Sequence, residues 1–226
     1  RPDSDLDAMV VVTEENYAQG VKNHTAVETI SGHCTYDGGY FDVKYMTKNF
    51  LCDAAEKGSE PARNAFLGAR VLFTKDDEIP ALVAKIPVFQ KEEKEDKMLS
   101  FYADFWLNYY YFLQACPVDG YMKLHAVGEV IYSVYRMVLQ ENEILFPCNR
   151  RLEEFVEKIS DQTGKLVAFG KAAAHSQKIE DVKVFVEYFL EILRWEIPTD
   201  ISGVLSRYTA DFEQWWRIPR PNVNEW

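Results

Sequence analysis

The chain has 226 residues, 47% of them hydrophobic, with 13 Tyr, 14 Phe and 5 Trp. That length and aromatic content suit one large core or two small ones and exclude a disordered chain. A net charge of −11 argues against general affinity for nucleic-acid backbone or anionic membrane, although a local basic pocket for a nucleotide is compatible with it.

The first elements are short and mixed. Residues 5–12 read as a strand whose run from Ala8 to Val12 carries no charge, the pattern of a central strand covered on both faces. Thr13 caps a following short helix, with Glu14 and Glu15 in its positive first turn. Residues 33–36 and 40–46 are expected to form two strands around Asp37-Gly38-Gly39, a tight hairpin signal. In the second, Phe41, Val43 and Tyr45 face one way; Asp42, Lys44 and Met46 face the other. Thr47 caps a helix reaching about Lys57, which Gly58-Ser59-Glu60-Pro61 breaks. Residues 69–73 read as another strand, and Pro80 opens a helix over 79–86.

Near residue 90 the composition shifts. The run from Gln90 to Lys97 is mostly charged and reads as a solvated helix start. Beyond it helices are expected over 91–115, 118–142, 150–160, 164–175, 178–195 and 200–217, with breaks at Pro117, Pro147, Thr163-Gly164, Gln177 and Pro198. Ile179, Val182, Phe185, Val186, Phe189, Ile192 and Leu193 keep the three-four spacing of one apolar helix face. Trp106 and Tyr109–Phe112 are expected to pack the bundle core, with a stacking platform for a flat ligand as the rival use. The fold class is therefore α+β: a small mixed-sheet domain over 1–90, then an all-helical bundle over 91–226.

Cys34, Cys52, Cys116 and Cys148 are scattered, form no CxxC pair and share no ligand spacing with the four His. They read as small core residues in a reducing cytosol, not a zinc site. No stretch reads as a signal peptide or a membrane-length apolar span, so the expected compartment is the cytoplasm. Arg1-Pro2 stands directly ahead of a strand that reads as central, so further residues are expected before Arg1.

The residues that carry chemistry are acidic. Asp5 and Asp7 sit two apart and so point to one side of the first strand. Two like charges there need a positive partner, and a hard divalent cation such as Mg²⁺ supplies it. Asp42, on a strand face shared with Lys44, adds a third carboxylate. Three carboxylates from neighbouring strands can hold two Mg²⁺ ions around a triphosphate. A calcium loop starting at Asp3 is the local rival, but Ala8 stands where such a loop needs glycine.

Ser4-Asp5-Leu6-Asp7 before an apolar strand, with a later strand Asp, resembles the nucleotidyltransferase superfamily of DNA polymerase β-type fold. The layout of a minimal α/β domain followed by a helical bundle, with Asn142-Glu143-Ile144-Leu145-Phe146-Pro147-Cys148-Asn149-Arg150 in the second half, is similar to the small bacterial aminoglycoside and lincosamide nucleotidyltransferases. The resemblance implies metal ligands at Asp5, Asp7 and Asp42, with Asp42 also helping to deprotonate the acceptor hydroxyl. The Gly-Ser signature that cradles the triphosphate in that family has no counterpart before Asp5 here. Some relatives take a general base from the helical domain; Asp104, amid Tyr102, Phe105 and Trp106, is the candidate, and Glu129 its rival. Ser4, Lys44, Asn149 and Arg150 are the candidates for contacts to the nucleotide.

The expected function is Mg²⁺-dependent transfer of a nucleoside monophosphate from ATP or another nucleoside triphosphate to a hydroxyl of a small acceptor. An aminoglycoside-like antibiotic suits an acidic protein, which would make this a resistance adenylyltransferase. The alternative is a catalytically inactive binding protein of the same fold, a nucleotide sensor or toxin–antitoxin component. Neither membrane nor nucleic acid is expected as a partner, and association with a second copy is left open.

Overall fold

The structure, a computed structural model, describes residues 5–219, 223, 224 and 226. It is α+β, with one three-stranded mixed sheet and ten α-helices among the described residues. The chain divides into two compact units. The first comprises residues up to Gly58 together with Gly68–Pro87; the second comprises Ser59–Leu67 and Val88 onward. Among the described residues no helix is long and apolar enough to cross a membrane.

In the first unit, β1 (Leu6–Val12) leads into α1 (Glu14–Lys22), β2 (Val27–Ser31) and β3 (Tyr40–Thr47). The strand order is β1-β3-β2, with β1 parallel and β2 antiparallel to the central β3. Then come α2 (Lys48–Lys57) and, later in the chain, α4 (Ile79–Lys85), which pack together. Thr13 and Thr47 both cap as expected: their hydroxyls accept from the main-chain N–H of Asn16 and Phe50. Each satisfies a donor that the first helical turn leaves without a partner.

Three sequence expectations change here. The first strand is not central and doubly covered; β1 is an edge strand, with Leu6 47% and Val10 and Val11 each 39% exposed. An uncharged β-branched run reports β propensity as readily as burial. The strand preceding β3 is Val27–Ser31 rather than 33–36, so the connection is a wide loop and not a two-residue turn. Gly32 and Gly38 adopt positive φ in that loop, and a Cβ on Gly39 would fall 2.5 Å from the Tyr36 ring. The glycines serve that loop's shape. Finally, residues 69–73 pair with no strand; Leu72 and Phe73 are 93% and 79% exposed.

The second unit is helical. α3 (Glu60–Asn64) belongs to it, followed by α5 (Lys94–Trp106), α6 (Gly120–Glu141), α7 (Leu152–Glu157), α8 (Asp161–Ser176), α9 (Ile179–Ile192) and α10 (Ile201–Tyr208). Its core joins α5, α6, α8 and α9 through residues such as Phe101, Phe105, Val134, Leu166, Phe185 and Phe189. Thr163-Gly164 is not a break: Thr163 closes a capping box with Ser160 inside the first turn of α8. The helix expected over 91–115 opens with a 3₁₀ turn, Lys91–Glu93, and widens after α5 into a π-helix, Leu107–Ala115. α10 likewise runs into a π-turn, Thr209–Glu213. At the first widening Asn108 Nδ2 donates to the Asp104 carbonyl at 3.0 Å, occupying an oxygen of the α-helical ladder.

One polar cluster lies inside this unit. Glu60, Lys97, Arg136 and Gln140 are fully buried. Glu60 accepts from Lys97 Nζ at 3.0 Å, Gln140 Nε2 at 2.6 Å and the Phe146 N–H at 2.9 Å. The Arg136 guanidinium lies over the rings of Phe101 and Phe146 and donates to the main-chain oxygens of Asn224 and Trp226. A buried carboxylate is tolerated only when its oxygens are met in this way. The cysteines are free thiols, and none is fully buried, contrary to the core role expected.

Candidate functional site: carboxylates on two parallel strands

The register of the parallel pair sets Asp7 of β1 directly beside Asp42 of β3. Side chains of register partners in adjacent strands stand on the same face. Two residues along β3 on that face, Lys44 Nζ reaches both, 3.1 Å from Asp7 Oδ1 and 3.1 Å from Asp42 Oδ2. Two residues the other way, the Tyr40 hydroxyl donates to Asp5 Oδ2 at 3.3 Å. The period-two run Tyr40, Asp42, Lys44 thus meets all three carboxylates from one strand.

The electrostatics follow this geometry. Hydrogen bonds to Asp42 and then Asp7 hold the Lys44 ammonium above the ordinary lysine range. The Asp5 charge, and the hydrogen bond to it, raise the Tyr40 phenol. Asp7 and Lys44 are well exposed and Asp42 is half-buried, so these pairs order the side chains more than they stabilise the fold.

The donor set is of the hard-oxygen type that Mg²⁺ prefers. A cation already stands between Asp7 and Asp42, in the form of the Lys44 ammonium, which shows that the pair converges on a positive charge. As the side chains stand, no group of three or more His, Cys, Asp or Glu among the described residues is arranged to hold a metal. The oxygen donors are of the right chemical type, but Lys44 and Tyr40 already meet them and they are not arranged around an ion. The expectation placed on Ser4 lies outside the described residues.

The remaining candidates belong to the helical unit. Asn149 and Arg150 are exposed on the 3₁₀ turn Asn149–Arg151 that leads into α7. Asp104 is 3% exposed, accepts from Ser133 Oγ at 2.6 Å and Asn108 Nδ2 at 2.9 Å, and faces Glu129. Burial is the main reason its carboxyl lies far above the usual range, with the neighbouring Glu129 charge next. Glu129 is also raised by burial, and His125 stands 3.7 Å from it. The two rival base candidates are therefore one buried carboxyl pair.

This unit also carries an open groove of about 820 Å³ whose charged lining is Glu92, Glu95, Asp96, Glu196 and Arg194, beside Trp195. Asp96 is paired with Arg207, and the Trp195 indole donates to Glu95.

Sequence reasoning missed Tyr40, Asn108 and Ser133. The signals were present: Tyr40 has the parity of Asp42, and Asn108 and Ser133 follow Asp104 and Glu129 by four residues. No known protein family and no characterised protein matches the chain in sequence.

Proposed function

We propose that the chain is a metal-dependent nucleotidyltransferase that moves a nucleoside monophosphate from a triphosphate to a hydroxyl of a small acceptor. The observation that carries this reading is the register of Asp7 with Asp42 on parallel strands, with Asp5, just before β1, bonded to Tyr40 of β3. In this reading Asp5, Asp7 and Asp42 hold Mg²⁺, which would steady the triphosphate and its leaving pyrophosphate. Asp42, the most buried of the Asp7–Lys44–Asp42 group, is the carboxylate best placed to take the acceptor proton. ATP is the nucleotide proposed. A cationic, aminoglycoside-like acceptor is supported by the net charge of −11.

The ammonium between Asp7 and Asp42 favours a second reading, a nucleotide-binding protein of this fold without catalysis. Transfer by the wild type decides between them, and one variant tests the site assignment. Asp42→Asn keeps the shape of β3 and removes one carboxylate charge. Transfer of labelled nucleoside monophosphate to an acceptor panel should fall at least about a hundredfold, a cost typical of losing a group that stabilises or activates the reacting atoms. Circular dichroism should be unchanged. No transfer by the wild type with any acceptor, despite nucleotide binding, would favour the second reading; unchanged transfer by Asp42→Asn would defeat the site assignment.

A further inference from the structure

We infer that the helical unit carries a peptide-recognition site for a Val-x-x-Trp segment, which this chain fills with its own Val223 and Trp226. Both side chains are buried in the core of the unit, yet residues 223, 224 and 226 lie in no helix or strand. The Trp226 N–H donates to the Val223 carbonyl at 3.3 Å, the closure of a tight turn. Side chains of α6 grip the main chain of this turn. The Tyr132 hydroxyl donates to the Asn224 oxygen at 2.7 Å, and Arg136 Nη1 and Nη2 donate to the main-chain oxygens of Asn224 and Trp226 at 3.0 and 2.7 Å. Such bonds fix the path of a peptide without choosing its sequence; the choice lies with the buried anchors. The Trp226 indole donates to Glu93 Oε2 at 2.8 Å and lies 5.4 Å from the Lys97 ammonium. The guanidinium itself calls for an occupant. Arg136 is fully buried over Phe101 and Phe146, its Nε meets no acceptor among the described residues, and Glu60 stands 3.7 Å away. Without the two main-chain oxygens it would keep only the Tyr132 hydroxyl close by, and a buried charge stripped of acceptors is costly. A short segment outside the helices can open while the bundle stays folded, and the site then takes another peptide of the same spacing.

The test is fluorescence anisotropy with a labelled peptide of residues 219–226, Pro-Arg-Pro-Asn-Val-Asn-Glu-Trp, added to the full chain. In the double variant Val223→Ser/Trp226→Ala the chain's own anchors are lost and the site is open to the peptide. In wild type the tethered segment competes at an effective concentration of about a millimolar. The double variant should therefore bind the peptide at least about tenfold more tightly than wild type, and the peptide should raise its melting temperature but not that of wild type. A peptide carrying Trp226→Ala should bind the double variant at least about tenfold more weakly than the natural sequence, the loss expected of a buried indole anchor. No binding by the folded double variant overturns the inference, because the anchors would then be ordinary core residues. Equal binding by wild type and variant overturns it too, since the peptide would sit elsewhere. Equal binding of the two peptides likewise defeats it, because the indole would not be read. Should the double variant not fold, Trp226→Leu, which keeps an apolar side chain in place, gives the same readings.

Discussion

At the residue scale, Asp104 is the side chain whose chemistry departs furthest from its ordinary state. Folded, its carboxyl keeps the proton up to about pH 8; unfolded, it loses it near pH 4. Its contribution to stability is therefore complete below the unfolded value and is lost as pH rises through the folded one. Asp104→Asn, which cannot ionise, should flatten the fall in stability between roughly pH 4 and pH 8, measured by urea denaturation at several pH values. An unchanged pH profile would show that Asp104 does not titrate in that window. Asp104→Leu should cost roughly 1–3 kcal/mol at acid pH, because the Ser133 hydroxyl loses its buried acceptor.

At the same scale much of the candidate site could be read from the sequence. Alternation along β3 put Asp42 and Lys44 on one face, and the structure joins them through an ion pair. What alternation could not supply is the partner strand's register, because that depends on the crossover through α1 and β2. Nor could spacing show Lys44 standing between two carboxylates, since reach across strands is a property of the assembled sheet. The Asp104–Glu129 pair was hidden for the same reason: its members lie 25 positions apart on helices that meet only after packing.

At the scale of elements, local rules worked where the signal was a cap and failed where it was a boundary set by tertiary contact. Thr13, Thr47, Pro80 and the spacing of α9 all mark elements that exist. The strand expected at 33–36 was displaced to Val27–Ser31, because Asp37-Gly38-Gly39 shapes a broad loop whose φ values the sequence leaves unspecified. The π-helix Leu107–Ala115 opens where Asn108 engages the Asp104 carbonyl, an interaction invisible to a 3.6-residue period. Thr47 sits at the junction where β3 becomes α2, so its cap anchors the helix that leaves the candidate site. Thr47→Ala should destabilise the protein by about 1 kcal/mol in denaturant titration, with Thr47→Ser recovering most of the loss. If the alanine variant were as stable as wild type, the cap would not matter to the fold.

At the scale of the whole molecule, the assignment of α3 to the helical unit has a chemical reason. Glu60 is the shared acceptor for Lys97, Gln140 and Phe146, so the short stretch Ser59–Leu67 goes where its carboxylate is satisfied. Composition could not have indicated this, since Gly58-Ser59-Glu60-Pro61 reads as a break.

The unpaired residues 69–73 make the protein vulnerable to digestion. A protease needs an extended, accessible backbone that fits its cleft, and folded helices and strands refuse it. Here Leu72 and Phe73 are displayed with no strand beside them, and exposed Arg70 and Lys75 bracket them. Brief treatment with trypsin should nick first at Arg70 or Lys75, and mass spectrometry of the fragments would identify the bond. An initial cut elsewhere would mean that this stretch is shielded in solution. If the nick falls as expected, the covalent chain would be broken between α3 and α4, yet the buried contacts of Glu60 and the packing of α2 with α4 would hold the two fragments together, so the cut would show on a denaturing gel before it showed in solution.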